Sequence, residues 1–370
     1  MIPVNIPLVT EEDIQSVVEV MRDGWLSGEA PIVSEFENQF AHLHGQEFGI
    51  AVPNGSLAID LVLHTIDLKI GDEVILPSFA IISCLAEIMR RGAKPVFVDS
   101  EPNTWNMDTK NLSAAVSRNT KAILVVHTYG LPTNMDAVTK VASQHGLPVI
   151  EDCAESHGLR FRSKPVGSFG LASTFSFYAN KNVTTGEGGM VITSDESLAN
   201  RLRYYRNLTF SPERRFVHEE VGWNLRFSAI QAALGLSQLR RLDQTIKRRR
   251  EIGQRYRDAL ESIQGVDMAP PLIDYAQNDY WVVGAVLSQE KFGSARDVAD
   301  SLAARGVQTR PFFFPLHRQP AYLRTADAKV WDLPVADMLG EQGLYFPNGL
   351  GMTDDQLEEA VRKTKEVLGN

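Results

Sequence analysis

From about residue 48 to 195, short apolar runs alternate with helix-length amphipathic stretches, and this alternation constrains the fold more than any other feature of the chain. The segments 48–52, 73–76, 95–98, 122–127, 148–151, 172–177 and 190–193 have the length and apolar content of strands. Between them, 56–68, 82–91, 107–117 and 135–145 carry apolar residues at helical spacing. Strands that alternate with helices predict an α/β fold, a largely parallel sheet covered by helices on both faces. In such sheets ligands bind beyond the carboxyl ends of the strands. Those ends are therefore where chemistry is sought.

Beyond residue 195 the pattern changes. A helical segment at 228–257 is followed by the interruption Pro270-Pro271, a strand-like run at 280–287 and a helix at 294–305. A proline-rich stretch, Pro311-Phe-Phe-Phe-Pro315, and a last helix at 353–368 close the chain. This succession predicts a smaller α+β carboxyl-terminal domain, with the large domain at 1–249 and the small one at 250–370. At 370 residues the chain is long enough for two such units.

Composition narrows the function. The formal charge is -9 (37 basic against 46 acidic residues), which argues against a nucleic-acid-binding surface. The run Lys247-Arg-Arg-Arg250 lies on a charged helix and reads as a solvated face. Cys84 and Cys153 are the only cysteines, too few for a disulfide framework, and no CxxC metal site exists. No signal peptide and no bilayer-length apolar stretch are visible, so the expectation is a soluble cytoplasmic enzyme without metal or membrane partner.

Two strand ends carry chemistry. The run Leu147-Pro-Val-Ile-Glu-Asp152 ends on an aspartate, and an apolar strand beginning at Ser173 leads into a turn with Lys181, followed by Gly186-Glu-Gly-Gly189. Alone, Lys181 reads equally as a surface lysine in a turn. Together, a lysine and an aspartate at neighbouring strand ends are the two groups that pyridoxal phosphate needs. The lysine links covalently to its aldehyde, and the aspartate keeps the pyridine nitrogen protonated. Asn54-Gly55-Ser56 joins the first strand to a helix. Its backbone can approach a phosphate there, although Ser56 as a simple helix cap is the plainer reading. Ser176 can add a hydroxyl to the same phosphate. A P-loop, a GxGxxG fingerprint after the first strand and a metalloprotease HExxH are all absent. The glycines at 186–189 suit a turn behind the cofactor.

The segments Glu151-Asp-Cys-Ala-Glu155, 173–189, Gly222-Trp-Asn-Leu-Arg226 and 232–239 resemble the DegT/DnrJ/EryC1/StrS nucleotide-sugar aminotransferases, and the likeness runs from about residue 5 to the end. The resemblance implies a fold-type I, pyridoxal-phosphate-dependent aminotransferase. Lys181 would hold the cofactor and shuttle the proton, Asp152 would pair with the pyridinium, and Glu155 would lie near the ring hydroxyl. Gly55, Ser56 and Ser176 would bind the phosphate. Asn224 would reach that phosphate from the partner subunit, which implies a homodimer with shared sites. His317 and Arg226 are candidates near the sugar. One position departs from the family: an aromatic usually covers the cofactor ring where Ile81 stands, with Phe79 as the alternative. Relatives with histidine at the lysine position are dehydratases, so Lys181 favours amino transfer. The expected donor is glutamate. The block ending Asn180-Lys-Asn-Val-Thr-Thr-Gly-Glu-Gly-Gly189, Val126-His-Thr-Tyr-Gly130 and the motif from Thr309 to His317 resemble the members of the family that act on GDP-4-keto-6-deoxymannose, and the family implies surface polysaccharide such as O-antigen. A UDP- or dTDP-linked keto-sugar, or a cofactor-binding regulatory protein without turnover, remain the alternatives.

Overall fold

Seven strands build the expected sheet: β1 (Phe48–Val52), β2 (Glu73–Pro77), β3 (Lys94–Val98), β4 (Thr120–Val126), β5 (Val149–Asp152), β6 (Ala172–Ser176) and β7 (Gly189–Thr193). The computed structural model describes every residue except Pro212 and Asn370, the latter the last residue of the expected second domain. The strands lie in the order β1-β7-β6-β5-β4-β2-β3. β7 runs antiparallel to both neighbours, and the remaining pairings are parallel. Around the sheet pack α1 (Glu11–Asp23), α2 (Pro31–Leu43), α3 (Gly55–Thr65), α4 (Ile82–Arg90), α5 (Met135–His145), α6 (Glu196–Arg206) and α7 (Ala229–Arg240).

Successive side chains of a strand point to opposite faces, so a sheet covered on both sides needs apolar residues at every position. The central strands meet that demand. Ile50, Val52, Val74, Leu76, Leu124 and Val126 join one core cluster, with residues of α3, α4 and α6. Ala51, Ile75, Ile123 and Val125 join a second, with residues of α2, α5 and α7.

A third core belongs to the carboxyl-terminal unit. Its sheet contains β8 (Val266–Asp267), β9 (Gly284–Leu287), β10 (Arg310–Pro311) and β11 (Gly343–Tyr345), in the antiparallel order β8-β9-β11-β10. The long helix α8 (Leu242–Leu260) joins the two units: Leu242 and Ile246 sit in the second cluster, Ile252, Tyr256 and Leu260 in the third. Ile2 also packs in the third cluster, and its N–H donates to the Gly306 carbonyl at 2.7 Å. Among the described residues no helix is long and apolar enough to cross a membrane.

Three expected elements differ. The helix expected at 107–117 is only a 3-10 turn at Leu112–Ala115. The Asp108 carboxylate accepts from the Lys110 N–H and from the Asn111 side chain, a local alternative to helical hydrogen bonding. The single helix expected at 228–257 is two, α7 and α8, with a break at Arg241, whose guanidinium is held by Asp13 at 2.7 and 2.5 Å. The strand expected at 280–287 begins only at Gly284. Tyr280 adopts a left-handed φ of 49°, and its ring fills the space that a Cβ on Gly253 would take.

Phe175 of β6 is fully buried, with its ring centroid 4.9 Å from Phe40 and 4.5 Å from His44. Phe175→Ala is expected to lower the unfolding free energy by about 3–5 kcal/mol in urea titrations. A loss below about 1 kcal/mol would mean that this face of the sheet collapses around the cavity.

Candidate active site

Parallel packing brings three loops to the same edge of the sheet. Asp152 is the last residue of β5, Ser176 the last of β6, and Asn54-Gly55-Ser56 follows β1 directly. Lys181 stands five residues beyond Ser176. All of them line one cavity of about 350 Å³, together with Ile81, Ser83 and Glu155 from the large unit. Trp281, Arg310, Phe313 and Tyr345 from the carboxyl-terminal unit complete its wall.

The start of α3 is capped by Asn54, whose side-chain oxygen accepts from the Leu57 N–H at 2.9 Å. The cap is therefore not Ser56. The Ser56 hydroxyl instead lies 2.6 Å from the Ser83 hydroxyl on α4. Gly55 has a packing requirement: a Cβ there would come within 2.9 Å of the Ser176 Cβ, so only glycine lets this helix start lie against the end of β6. The exposed N–H end of a helix with three hydroxyls beside it is suited to an anion.

Asp152 is buried and held on both oxygens. The Ala154 N–H donates to Oδ1 at 3.0 Å, and the Cys84 thiol donates to Oδ2 at 3.2 Å. Burial pushes its pKa above the ordinary value, against the pull of those donors and of Lys181. Glu155, also buried, accepts from the Tyr129 N–H at 2.9 Å, and burial pushes it up to about 7. The Lys181 amine lies 3.7 Å from the centroid of the Trp281 ring. Burial lowers it to about 8, while Glu155 and Asp152 hold it up and Arg249 lowers it further. The neutral amine, the form that attacks an aldehyde, is thus reached at lower pH than for an ordinary lysine.

These residues fit pyridoxal phosphate at each of its polar ends. A hydroxyl-rich helix start offers a phosphate seat, Asp152 a carboxylate for the pyridinium, and Lys181 an amine for the aldehyde. Ile81 lines the cavity, whereas Phe79 is fully buried with its ring 5.6 Å from that of Tyr129. Of the two candidates for covering the ring, the aliphatic one faces the cavity.

Three expected residues stand elsewhere. His317 is not in the cavity wall: its ring lies 2.7 Å from the Ser78 hydroxyl on one side and 3.4 Å from Asp337 on the other. Arg226 donates to Asn207 at 2.8 Å, and Asn224 is exposed, bridged to Asn207. Neither lines the cavity within this chain. Another buried group of polar residues, His127, Glu151 and Cys153, lies behind β5. Its carboxylate already accepts from the N–H groups of Gly167, Phe169 and Gly170, which makes it a strut for the strand end.

Sequence reasoning missed Ser83, Trp281, Arg310, Tyr345 and Arg249. Arg310 lies inside the motif from Thr309 to His317, and of that motif it is Arg310 and Phe313, not His317, that line the cavity. Arg249 was assigned to a solvated face, yet it is 1% exposed.

Comparison with known proteins agrees with this geometry. The model of the DegT/DnrJ/EryC1/StrS aminotransferase family matches residues 7–365. The GDP-perosamine synthase of Escherichia coli O157:H7 is 35% identical over 96% of this chain and 95% of its own length. That of Caulobacter vibrioides is 36% identical over 99% and 98%. The crystal structure of DesI, determined in the presence of its TDP-sugar product, superposes with a TM-score of 0.90 at 30% identity, covering 99% of this chain and 92% of DesI. With its lysine, aspartate and phosphate seat in one cavity and a family match over almost its full length, the chain belongs to the pyridoxal-phosphate-dependent DegT/DnrJ/EryC1/StrS aminotransferase family.

Proposed function

We propose that this sugar aminotransferase moves an amino group from glutamate to GDP-4-keto-6-deoxymannose, giving GDP-perosamine. The observation that carries the amino-transfer reading is the Lys181 amine in one cavity with the Asp152 and Glu155 carboxylates. The choice of GDP-sugar is supported by the full-length likeness to two GDP-perosamine synthases. A second reading, amination of a TDP-linked keto-sugar, is favoured by the likeness to DesI.

When bound, pyridoxal phosphate supplies an electron-withdrawing ring that carries the amino group between the two substrates. The chain would supply the rest. Gly55, Ser56 and Ser176 would hold the phosphate. Asp152, whose carboxylate the Cys84 thiol orients, would keep a proton at the pyridine nitrogen. Glu155 and Ile81 would line the ring's surroundings. Lys181 Nζ would hold the cofactor and serve as the acid–base group that moves the proton. Arg310, the only arginine among the described residues of the cavity wall, would meet the anionic groups of donor or nucleotide.

Asn224, exposed here, would complete the phosphate seat of a second copy in a homodimer. The segment that leads to it exposes Phe216 at 79% and Val221 at 87%, apolar surface that a second copy would cover. A cytoplasmic role in surface-polysaccharide synthesis, such as O-antigen, follows from the same reading.

Lys181→Ala is expected to lose the cofactor's lysine-dependent visible band, and turnover with it, by more than the 10²–10⁴-fold typical of general acid–base help, at unchanged melting temperature. Among GDP-, UDP- and dTDP-4-keto-6-deoxy sugars, the GDP-linked one is expected to give the highest kcat/KM with glutamate. Preference for a dTDP- or UDP-sugar would overturn the substrate assignment, and wild-type turnover by Lys181→Ala would overturn the site.

Capture of pyridoxal phosphate by cofactor-free protein is expected to rise with pH through a midpoint near 8, set by Lys181, and not near the ordinary lysine value of 10.5. Glu155→Gln removes a carboxylate that favours the ammonium form, so the midpoint should move to lower pH. A midpoint that stays or rises would exclude the Glu155–Lys181 interaction.

A further inference from the structure

Arg249 is the largest of the fully buried side chains, and among the described residues no carboxylate pairs with it. A buried guanidinium without a counter-ion is retained only where its hydrogen bonds accomplish something else. All three of its partners are neutral oxygens, and two of them flank Lys181. Arg249 Nη2 donates to the carbonyl of Asn180 at 3.0 Å, and Nε donates to the side-chain oxygen of Asn182 at 3.1 Å. The third, from Nη1, goes to the carbonyl of Asn348 at 2.5 Å.

The surrounding bonds close a ring. The Trp281 indole N–H donates to the same Asn180 carbonyl at 3.1 Å, while its ring lies against the Lys181 amine. The Asn348 side-chain amide donates to the Trp281 carbonyl at 2.7 Å. Asn180 through its backbone carbonyl and Asn182 through its side chain are therefore tied to α8, and the Asn180 carbonyl is tied to Trp281 as well. Arg249 sits on α8 between the turns that enter the second core and those that enter the third.

We propose that Arg249 is a positioning residue for Lys181, a three-pronged clamp that fixes the lysine's loop and registers it against the carboxyl-terminal unit that completes the cavity. The inference rests on Lys181 being the residue that links the cofactor. The clamp also has an electrostatic side, because a guanidinium next to the lysine opposes protonation of its amine. The charged and titratable groups facing that amine are Asp152 and Glu155 at the end of β5, His157 just beyond them and Arg249 on α8. The two carboxylates favour the ammonium form, and the arginine opposes it.

The test uses cofactor-free protein and inorganic-phosphate-free buffer, with pyridoxal phosphate as the probe and the lysine-dependent visible band as the readout. Arg249→Met is expected to slow capture about ten- to a hundredfold, the range that a displacement near 1 Å produces, and to move the pH midpoint upward. Arg249→Lys keeps the charge without the fork, so the midpoint should stay near that of wild type while capture remains slow. Asn182→Ala removes one prong and leaves the charge, with the same expected pattern in milder form. A purely structural arginine would lower the melting temperature and leave both rate and midpoint unchanged in the folded fraction, which would overturn the clamp. Should Arg249→Met fail to fold, wild-type capture rates in both Arg249→Lys and Asn182→Ala would overturn it equally. A wild-type protein without any Lys181-dependent band would instead overturn the reading of Lys181, and the clamp with it.

Discussion

A lysine amine taken out of water beside two buried carboxylates is the arrangement on which the site depends. Desolvation disfavours every charge in the group, so Lys181 is pushed toward the neutral form and Glu155 toward the protonated one, while their mutual attraction works the other way. The balance leaves both groups titrating at mildly alkaline or neutral pH, the range in which one of them can give a proton and the other accept it. Asp152 shares the same burial, but two fixed donors, the Ala154 N–H and the Cys84 thiol, hold its carboxylate in one orientation. Three charges that would each be unfavourable alone offset one another because the fold confines them together.

Such confinement needs rigid support, and the sheet provides it. Strands β4, β5 and β6 are buried on both faces and run parallel, so their carboxyl ends meet at one edge. The reverse strand β7 lets the chain return and bring the glycines at 188 and 189 behind the lysine turn. At Gly189 a Cβ would fall within 2.4 Å of the Asn54 backbone, so the phosphate-seat loop and the strand after the lysine pack backbone to backbone. Trp281 and Tyr345, which pack with the first core cluster, and Arg310 then close the cavity from the carboxyl-terminal part of the chain. Arg249 lies at the junction between the two units.

Much of this was legible in the chain. The strands expected at 148–151 and 172–177 end within one residue of the observed ends at Asp152 and Ser176, and residue type and position mark out the lysine and aspartate. Legibility stopped where a side chain's neighbours lie far away in sequence. Met107 to Ser117 has helical spacing, yet the Asp108 side chain satisfies nearby backbone and amide groups outside a helix. His317 reads in its motif as a candidate for contact with the sugar, yet Ser78, more than two hundred residues earlier, and Asp337 lie against its ring. The four consecutive basic residues 247–250 looked like a solvated face. At about 100° per residue they cover nearly the whole circumference of a helix, so one of them must turn toward whatever the helix packs on.

The sequence by itself determined the α/β order, the two-sided burial of the sheet and the presence of Lys181 and Asp152 at its functional edge, because strand and helix periodicities are local properties of the chain. Only the tertiary structure decided which residues surround them. It turned Ile81 and not Phe79 to the cavity, exchanged Ser56 for Asn54 as the cap of α3, and brought Trp281, Arg310 and Tyr345 to the wall. It also sent Arg249 inward to the Asn180 carbonyl and the Asn182 side chain on either side of the lysine. The reason is physical: burial and charge coupling depend on what packs against a side chain from distant parts of the chain, and no window of neighbouring residues contains that information.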